Sequence, residues 1–158
     1  CYFIIHIPIT VAIDSYGVIP PSYHPASKLV EWHIRQNNDF LMFEKPTWLF
    51  WFIVIELVVQ LPLFFYFIKA FRSIWSANAS TKDQKSQLHE RKSTLYRWLR
   101  IYGVNASVTT LICIITVFQR GYYPDALGAQ LPMSFSDKMS LVSVYLPTFL
   151  IPLRLSFV

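Results

Sequence analysis

Charge is what this sequence has least of: 15% of its 158 residues are charged, against 54% hydrophobic and 17% aromatic. A chain of this length is one domain's worth, and it carries more apolar side chain than a soluble domain of that size buries. Cysteine is nearly absent. Cys1 and Cys113 stand far apart on expected helices, which excludes a disulfide framework and a cysteine metal site, and no metal or cofactor is expected. The front of the chain lacks a basic leader and a small-residue cleavage site, and it holds His6 and Asp14 where a signal peptide has its apolar core. An initiator methionine is also missing, so a few residues are expected to precede Cys1. No internal repeat is present.

What is there is a set of long runs nearly free of charge. Residues 47–68 carry only Glu56, residues 101–119 carry no charge, and fifteen uncharged residues separate Lys138 from Arg154. The first 27 residues hold one formal charge, Asp14. A bilayer-crossing helix needs about 20 mostly apolar residues, and lysine or arginine at its ends snorkels to the headgroups. The patterning predicts an all-α integral membrane protein, a single domain over residues 1–158. Four transmembrane helices are expected, at about 1–19, 47–69, 101–119 and 138–157.

The basic residues orient these spans. Lys69, Arg72, Lys82, Lys85, Arg91, Lys92, Arg97 and Arg100 crowd the second connection, where the only acids are Asp83 and Glu90. Residues 70–100 are therefore expected to be a cytosolic basic loop, mobile over its polar part at 76–94, with both termini cytosolic. The net charge of +5 is mostly this topology signal and calls for no nucleic acid. In the first connection, KLVEWHIRQ mixes Leu29, Val30, Trp32 and Ile34 with charges, which suits a short interfacial helix. GYYPDALG, residues 121–128, reads as a turn-rich lumenal loop. The sequons at Asn78 and Asn105 fall on the cytosolic side and inside a span, so neither is expected to carry a glycan.

Polar residues inside the spans carry the functional signal, because an ionisable group there costs several kcal/mol and normally faces the bundle interior. His6, Thr10 and Asp14 recur every four residues and share a face of the first helix, as Glu56 and Gln60 do on the second. Thr110 on the third helix and Tyr145 on the fourth extend the set, and Pro62, Pro147 and Pro152 loosen backbone nearby. Glu56 lies nine residues beyond Thr47, about 13 Å deep at the helical rise, and Asp14 about 8 Å deep. Carboxyls on adjacent helices bridge that difference. Two so close in a dry cavity do not both ionise cheaply, so the pair is expected to hold a single negative charge and to accept a cationic amine or a sterol hydroxyl. The blander readings are an interfacial Asp14, a Glu56 that only hydrogen-bonds, and polar residues that only join helices. Cys113 reads as lipid- or core-facing filler.

HIPIT with an acid four positions on, ELVVQLP, and LVSVYLPTFLIP resemble the EXPERA family in its sigma-2 receptor-like branch, over nearly the whole chain. WLRIYGVNASVTTLICI and the ending YLPTFLIPLRLSFV resemble the fungal members, whose ending Val158 matches. The resemblance implies a four-helix endoplasmic-reticulum protein with a lumen-side, membrane-enclosed pocket for sterols and amphipathic amines. By its motifs, Asp14 takes the place of the amine-binding aspartate and Glu56 that of its neighbouring glutamate. Asp39 matches a second aspartate tied to ligand binding, placed by sequence in the lumenal loop where it would brace the pocket. Gln60, Thr110 and Tyr145 match pocket-lining positions. The basic loop is longer here than in animal members, and retention through a lysine-rich tail like theirs is not expected.

The family also contains sterol isomerases, which need a proton donor and acceptor on opposite sides of a stabilised cation. Asp14 and Glu56 are candidates for that shuttle, and His6 is the only histidine in a span. The motifs nonetheless match the receptor-like branch better, and no tryptophan falls in the third or fourth helix. The expected function is non-enzymatic binding of a sterol, another lipid or a cationic amphiphile. The expected role is regulatory, in sterol or lipid homeostasis or, by the fungal resemblance, in quality control of mitochondrial precursor proteins. An isomerase and a structural subunit of a membrane complex are the alternatives. A homodimer or a membrane-protein partner stays open.

Overall fold

The computed structural model describes residues 2–77, 81–124 and 130–158. Among them the chain is helical, apart from one isolated antiparallel bridge between Tyr122 and Pro132. Helix α1 (Tyr2–Ala12) is shorter than the span expected to reach about Ile19. It gives way to a tight 3-10 turn at Asp14–Gly17. The cause is local. Ser15 Oγ donates to the Val11 carbonyl at 2.7 Å, a side-chain bond that competes with regular helix. Lys45 Nζ donates to the Tyr16 carbonyl at 2.7 Å and holds the turn from the far side of the first connection. Gly17 makes the turn fit: a Cβ there would stand 2.2 Å from Ile53 Cδ1.

KLVEWHIRQ forms a helix as expected, α2 (Ser27–Asn37), with Val30 and Ile34 buried and Trp32 exposed. It ends in the left-handed region at Asn38 (φ 53°), where the Asn38 N–H closes onto the Ile34 carbonyl, a conformation asparagine tolerates better than most residues. Asp39 follows as the N-cap of α3 (Phe40–Glu44), its Oδ1 accepting from the Met42 N–H at 3.2 Å.

Thr47 to Trp75 forms one helical stretch of 29 residues, made of α4 (Thr47–Ile55), a π-turn (Glu56–Gln60) and α5 (Leu61–Trp75). Pro62 explains the π-turn. It has no N–H for the Val58 carbonyl, and its ring would collide with that carbonyl. The turn widens instead, and the Leu61 N–H reaches the Glu56 carbonyl five residues back.

Helix α6 (Lys82–Arg120) runs 39 residues and overturns the expected basic loop over 70–100. Helix α5 continues to Trp75, α6 starts at Lys82, and only residues 76–81 connect them. The polar composition belongs to the exposed faces of a helix rather than to a loop. Thr81 and Gln84 close a reciprocal capping box, while Leu95 and Leu99 anchor the inner face in a cluster with Phe64 and Phe67 of α5. The sequon at Asn78 and the second half of the expected loop at 121–128 lie outside the described residues. Asn105 sits within α6 and accepts from Gln60 Nε2 at 2.9 Å.

Helix α7 (Phe135–Leu155) is capped by Ser134 and packs antiparallel on α6. Gly103 permits the closest approach, since a Cβ there would meet the Pro152 carbonyl and the Ser156 nitrogen, both at 2.6 Å. By length and apolar composition, Thr47–Trp75 and Lys82–Arg120 suffice to cross a membrane. The first and fourth expected spans correspond to α1, of 11 residues, and α7, of 21. Much of the outer surface of the long helices is apolar and unpartnered, including Trp51, Val58, Phe65, Ile101, Val104 and Val108, more than a water-soluble monomer exposes.

Candidate ligand cavity

All seven residues singled out as ligand-binding candidates line one cavity of about 160 Å³ between these helices: His6, Asp14, Asp39, Glu56, Gln60, Thr110 and Tyr145. Each arrives by a separate local device. Helix α1 brings His6 and the fully buried Thr10 inward, and the 3-10 turn presents Asp14. The π-turn carries Glu56 at its start and Gln60 at its end.

The acidic centre is tightly built. Thr10 Oγ1 donates to Glu56 Oε1 at 2.9 Å, and His6 Nε2 lies 3.3 Å from the same oxygen. Asp14 lines the same cavity and feels the Glu56 charge. No lysine or arginine lines the cavity among the described residues. Gln60 turns its amide toward Asn105 of α6, and the Thr110 hydroxyl donates to the Ala106 carbonyl at 2.8 Å.

Asp39 does not float in a loop. It is 2% exposed and receives the Tyr145 hydroxyl at 3.0 and 3.2 Å, with His33 Nε2 at 3.6 Å. This ties the first connection to α7 across the cavity. Ser143, two residues before Tyr145 on α7, is exposed and bonds locally to the Ser140 carbonyl.

Wall residues not singled out from sequence include Tyr2, His33 and Tyr102. Tyr2 and Tyr102 share a hydrogen bond of 3.0 Å, and Tyr2 stacks on His6 at 5.1 Å. His33 had a signal. It stands three residues after Val30 and next to Ile34, the inner face of α2. Cys113 is buried, as core-facing filler should be, and also forms part of the wall.

The turn that carries Asp14 is braced by His24. The Ala26 N–H donates to His24 Nδ1 at 3.2 Å, so the ring proton sits on Nε2 and points at Ser15 Oγ, 2.8 Å away. Burial first, and then Lys45, lower the His24 pKa from its ordinary 6.5. A proton on Nδ1 would face the Ala26 N–H and break that bond. The sign follows from linkage: the folded pKa lies below the unfolded one, so the contribution is complete above about pH 6.5 and is lost as pH falls through the lowered value. Thermal unfolding measured across this window should show stability falling on the acid side, and His24→Gln should flatten the fall.

Fold and site together define an all-helical protein with an apolar exterior and an internal acidic cavity at the meeting point of its helices. Residues 25–157 match EXPERA (EXPanded EBP superfamily). The chain is 53% identical over 160 residues to Efficient mitochondria targeting-associated protein 19 of Saccharomyces cerevisiae, covering 99% of this chain and 92% of that protein. It is 34% identical over 159 residues to human Sigma intracellular receptor 2, with 96% and 78% covered. The Xenopus tropicalis Sigma intracellular receptor 2 is 31% identical, with 98% and 81% covered. The chain belongs to the EXPERA family and is a sigma-2 receptor-like membrane protein.

Proposed function

We propose that the cavity receives the polar head of an amphipathic ligand, the ammonium of an amine or the hydroxyl of a sterol-like lipid, and that Asp14 is the counter-ion of the amine. The observation that carries this is the convergence of Asp14 and Glu56 on a cavity that no lysine or arginine lines among the described residues. In such surroundings a cation finds its partner charge already held in place, with little competition from water.

Volume narrows the choice. A cavity of about 150 Å³ admits a benzene-sized molecule, so 160 Å³ takes one ring and an ammonium group. A whole sterol nucleus enters only if helices part. Where backbone bonds are already interrupted, at the π-turn and at Pro147 and Pro152 of α7, parting is cheapest. The chain passes the membrane four times in this reading, α1 with its 3-10 turn making the first pass, in the endoplasmic reticulum with both termini cytosolic. The role is regulatory, in lipid homeostasis or precursor-protein quality control. It is supported by the relatives named for a receptor and for mitochondrial targeting.

The test is saturation binding to the purified protein with a tertiary-amine amphiphile and its neutral carbon isostere. The amine should bind at least tenfold tighter, and equal affinities overturn the counter-ion reading. A sterol double-bond isomerase is the second reading, favoured by the contact of His6 Nε2 with Glu56 Oε1 at 3.3 Å, a candidate proton donor and acceptor. Binding without catalysis predicts that purified protein returns a Δ8-sterol unchanged, and conversion would establish the enzyme.

A further inference from the structure

We propose a second ligand site outside the cavity: a phosphoinositide headgroup site on the basic face of α6. At 1.5 Å per residue the 39 residues of α6 extend about 58 Å, nearly twice the hydrocarbon thickness of about 30 Å. Its charge-free part, 101–119, matches that thickness. Residues 82–100 therefore stand in the headgroup layer and beyond it, on the side the basic residues mark as cytosolic. Tyr96 and Trp98, both exposed, sit at the boundary, where aromatic residues anchor helices.

On this stretch His89, Lys92, Ser93, Tyr96, Arg97 and Arg100 surround one open depression. Their spacing of three and four places them on one face of the helix. Among the described residues no Asp or Glu side chain lines it. The depression between α5 and α6 differs, since Glu90 stands there beside Lys69 and Arg91. Arg100 is held in place because its Nε donates to the Val158 carbonyl. Three cations with serine and tyrosine hydroxyls suit a phosphate.

Depth selects the lipid. The headgroup layer adds only about 5–7 Å on each side, while Lys92 stands eight residues, about 12 Å, beyond Arg100. An ordinary phosphodiester stays level with Arg97 and Arg100. Reaching Lys92 and Ser93 takes a headgroup that carries a phosphomonoester outward, as a phosphorylated inositol does. Clusters of lysine and arginine directly cytosolic of a span are the pattern such lipids recognise.

The site rests on α6 crossing the bilayer in the proposed orientation, and it is independent of what the cavity binds. The test titrates the full chain in detergent with short-chain phosphatidylinositol 4-phosphate, short-chain phosphatidylinositol and free inositol phosphate. The phosphomonoester lipid should bind at least tenfold tighter than the other two. Lys92→Gln with Arg97→Gln should cost about tenfold while its thermal unfolding midpoint stays that of the parent, which shows that the variant is folded; Lys92→Ala alone should cost less, in the same direction. Asp14→Asn should leave phosphoinositide binding unchanged, so failure at the cavity and failure here are told apart. Equal binding of phosphatidylinositol, or a folded double variant of full affinity, overturns the site. Free inositol phosphate binding as tightly as the lipid overturns the lipid assignment.

Discussion

Asp14→Asn should weaken binding of a cationic amphiphile about 30-fold or more while leaving the protein folded. The asparagine keeps the volume and the hydrogen-bonding capacity of the side chain and removes only the charge. Truncating one partner of a buried charge pair typically costs about 2–5 kcal/mol, and each 1.4 kcal/mol is a factor of ten. Glu56→Gln should cost less, about tenfold. Its Oε1 already takes the Thr10 hydroxyl and stands beside His6, so less of its charge is free for a ligand. Saturation binding with the same radioligand on both variants measures the difference. If the order reverses, Glu56 is the counter-ion. If both amides bind normally, the acids only hold helices together, and the structural-subunit reading takes over.

That asymmetry between the two acids depends on a feature only half legible in the sequence. The four-residue repeat of His6, Thr10 and Asp14 placed all three toward the interior, because helical periodicity needs no knowledge of neighbours. It did not show that the helix stops at Ala12 and that a 3-10 turn delivers Asp14. Ser15, His24 and Lys45 fix that turn through contacts from the first connection, which local pattern does not contain. Pro62 was visible as a loosening of the backbone, and the π-turn is its consequence. The basic segment failed for a different reason. Its polarity reads equally as loop or as solvated helix, and the deciding signals were two inward leucines, Leu95 and Leu99, and the capping box at Thr81. Tyr2 and Tyr102 escaped notice because tyrosine in a membrane sequence usually marks an interface. Here their hydroxyls satisfy each other at 3.0 Å inside the bundle.

Asp39 is where bracing and binding are separable, and the expected result is a large loss of stability. Asp39→Ala removes the N-cap of α3, worth about 1 kcal/mol. It also strands the buried Tyr145 hydroxyl, at about 1–3 kcal/mol. The sum, about 2–4 kcal/mol, is a substantial part of a typical domain's stability, and thermal unfolding should shift accordingly. Asp39→Asn keeps an acceptor oxygen for the Met42 N–H or the tyrosine hydroxyl, so most of the stability should survive. Tyr145→Phe removes the hydroxyl but leaves Asp39 capping the Met42 N–H beside His33, so it should cost less than Asp39→Ala. A brace predicts that amine affinity, measured on the folded fraction, follows stability across the three variants. A direct ligand contact predicts instead that Asp39→Asn loses affinity while remaining as stable as the parent. The geometry favours the brace. The carboxylate is 2% exposed, and both its oxygens are already taken by Tyr145, with Met42 sharing one of them, which leaves little of it to offer a ligand.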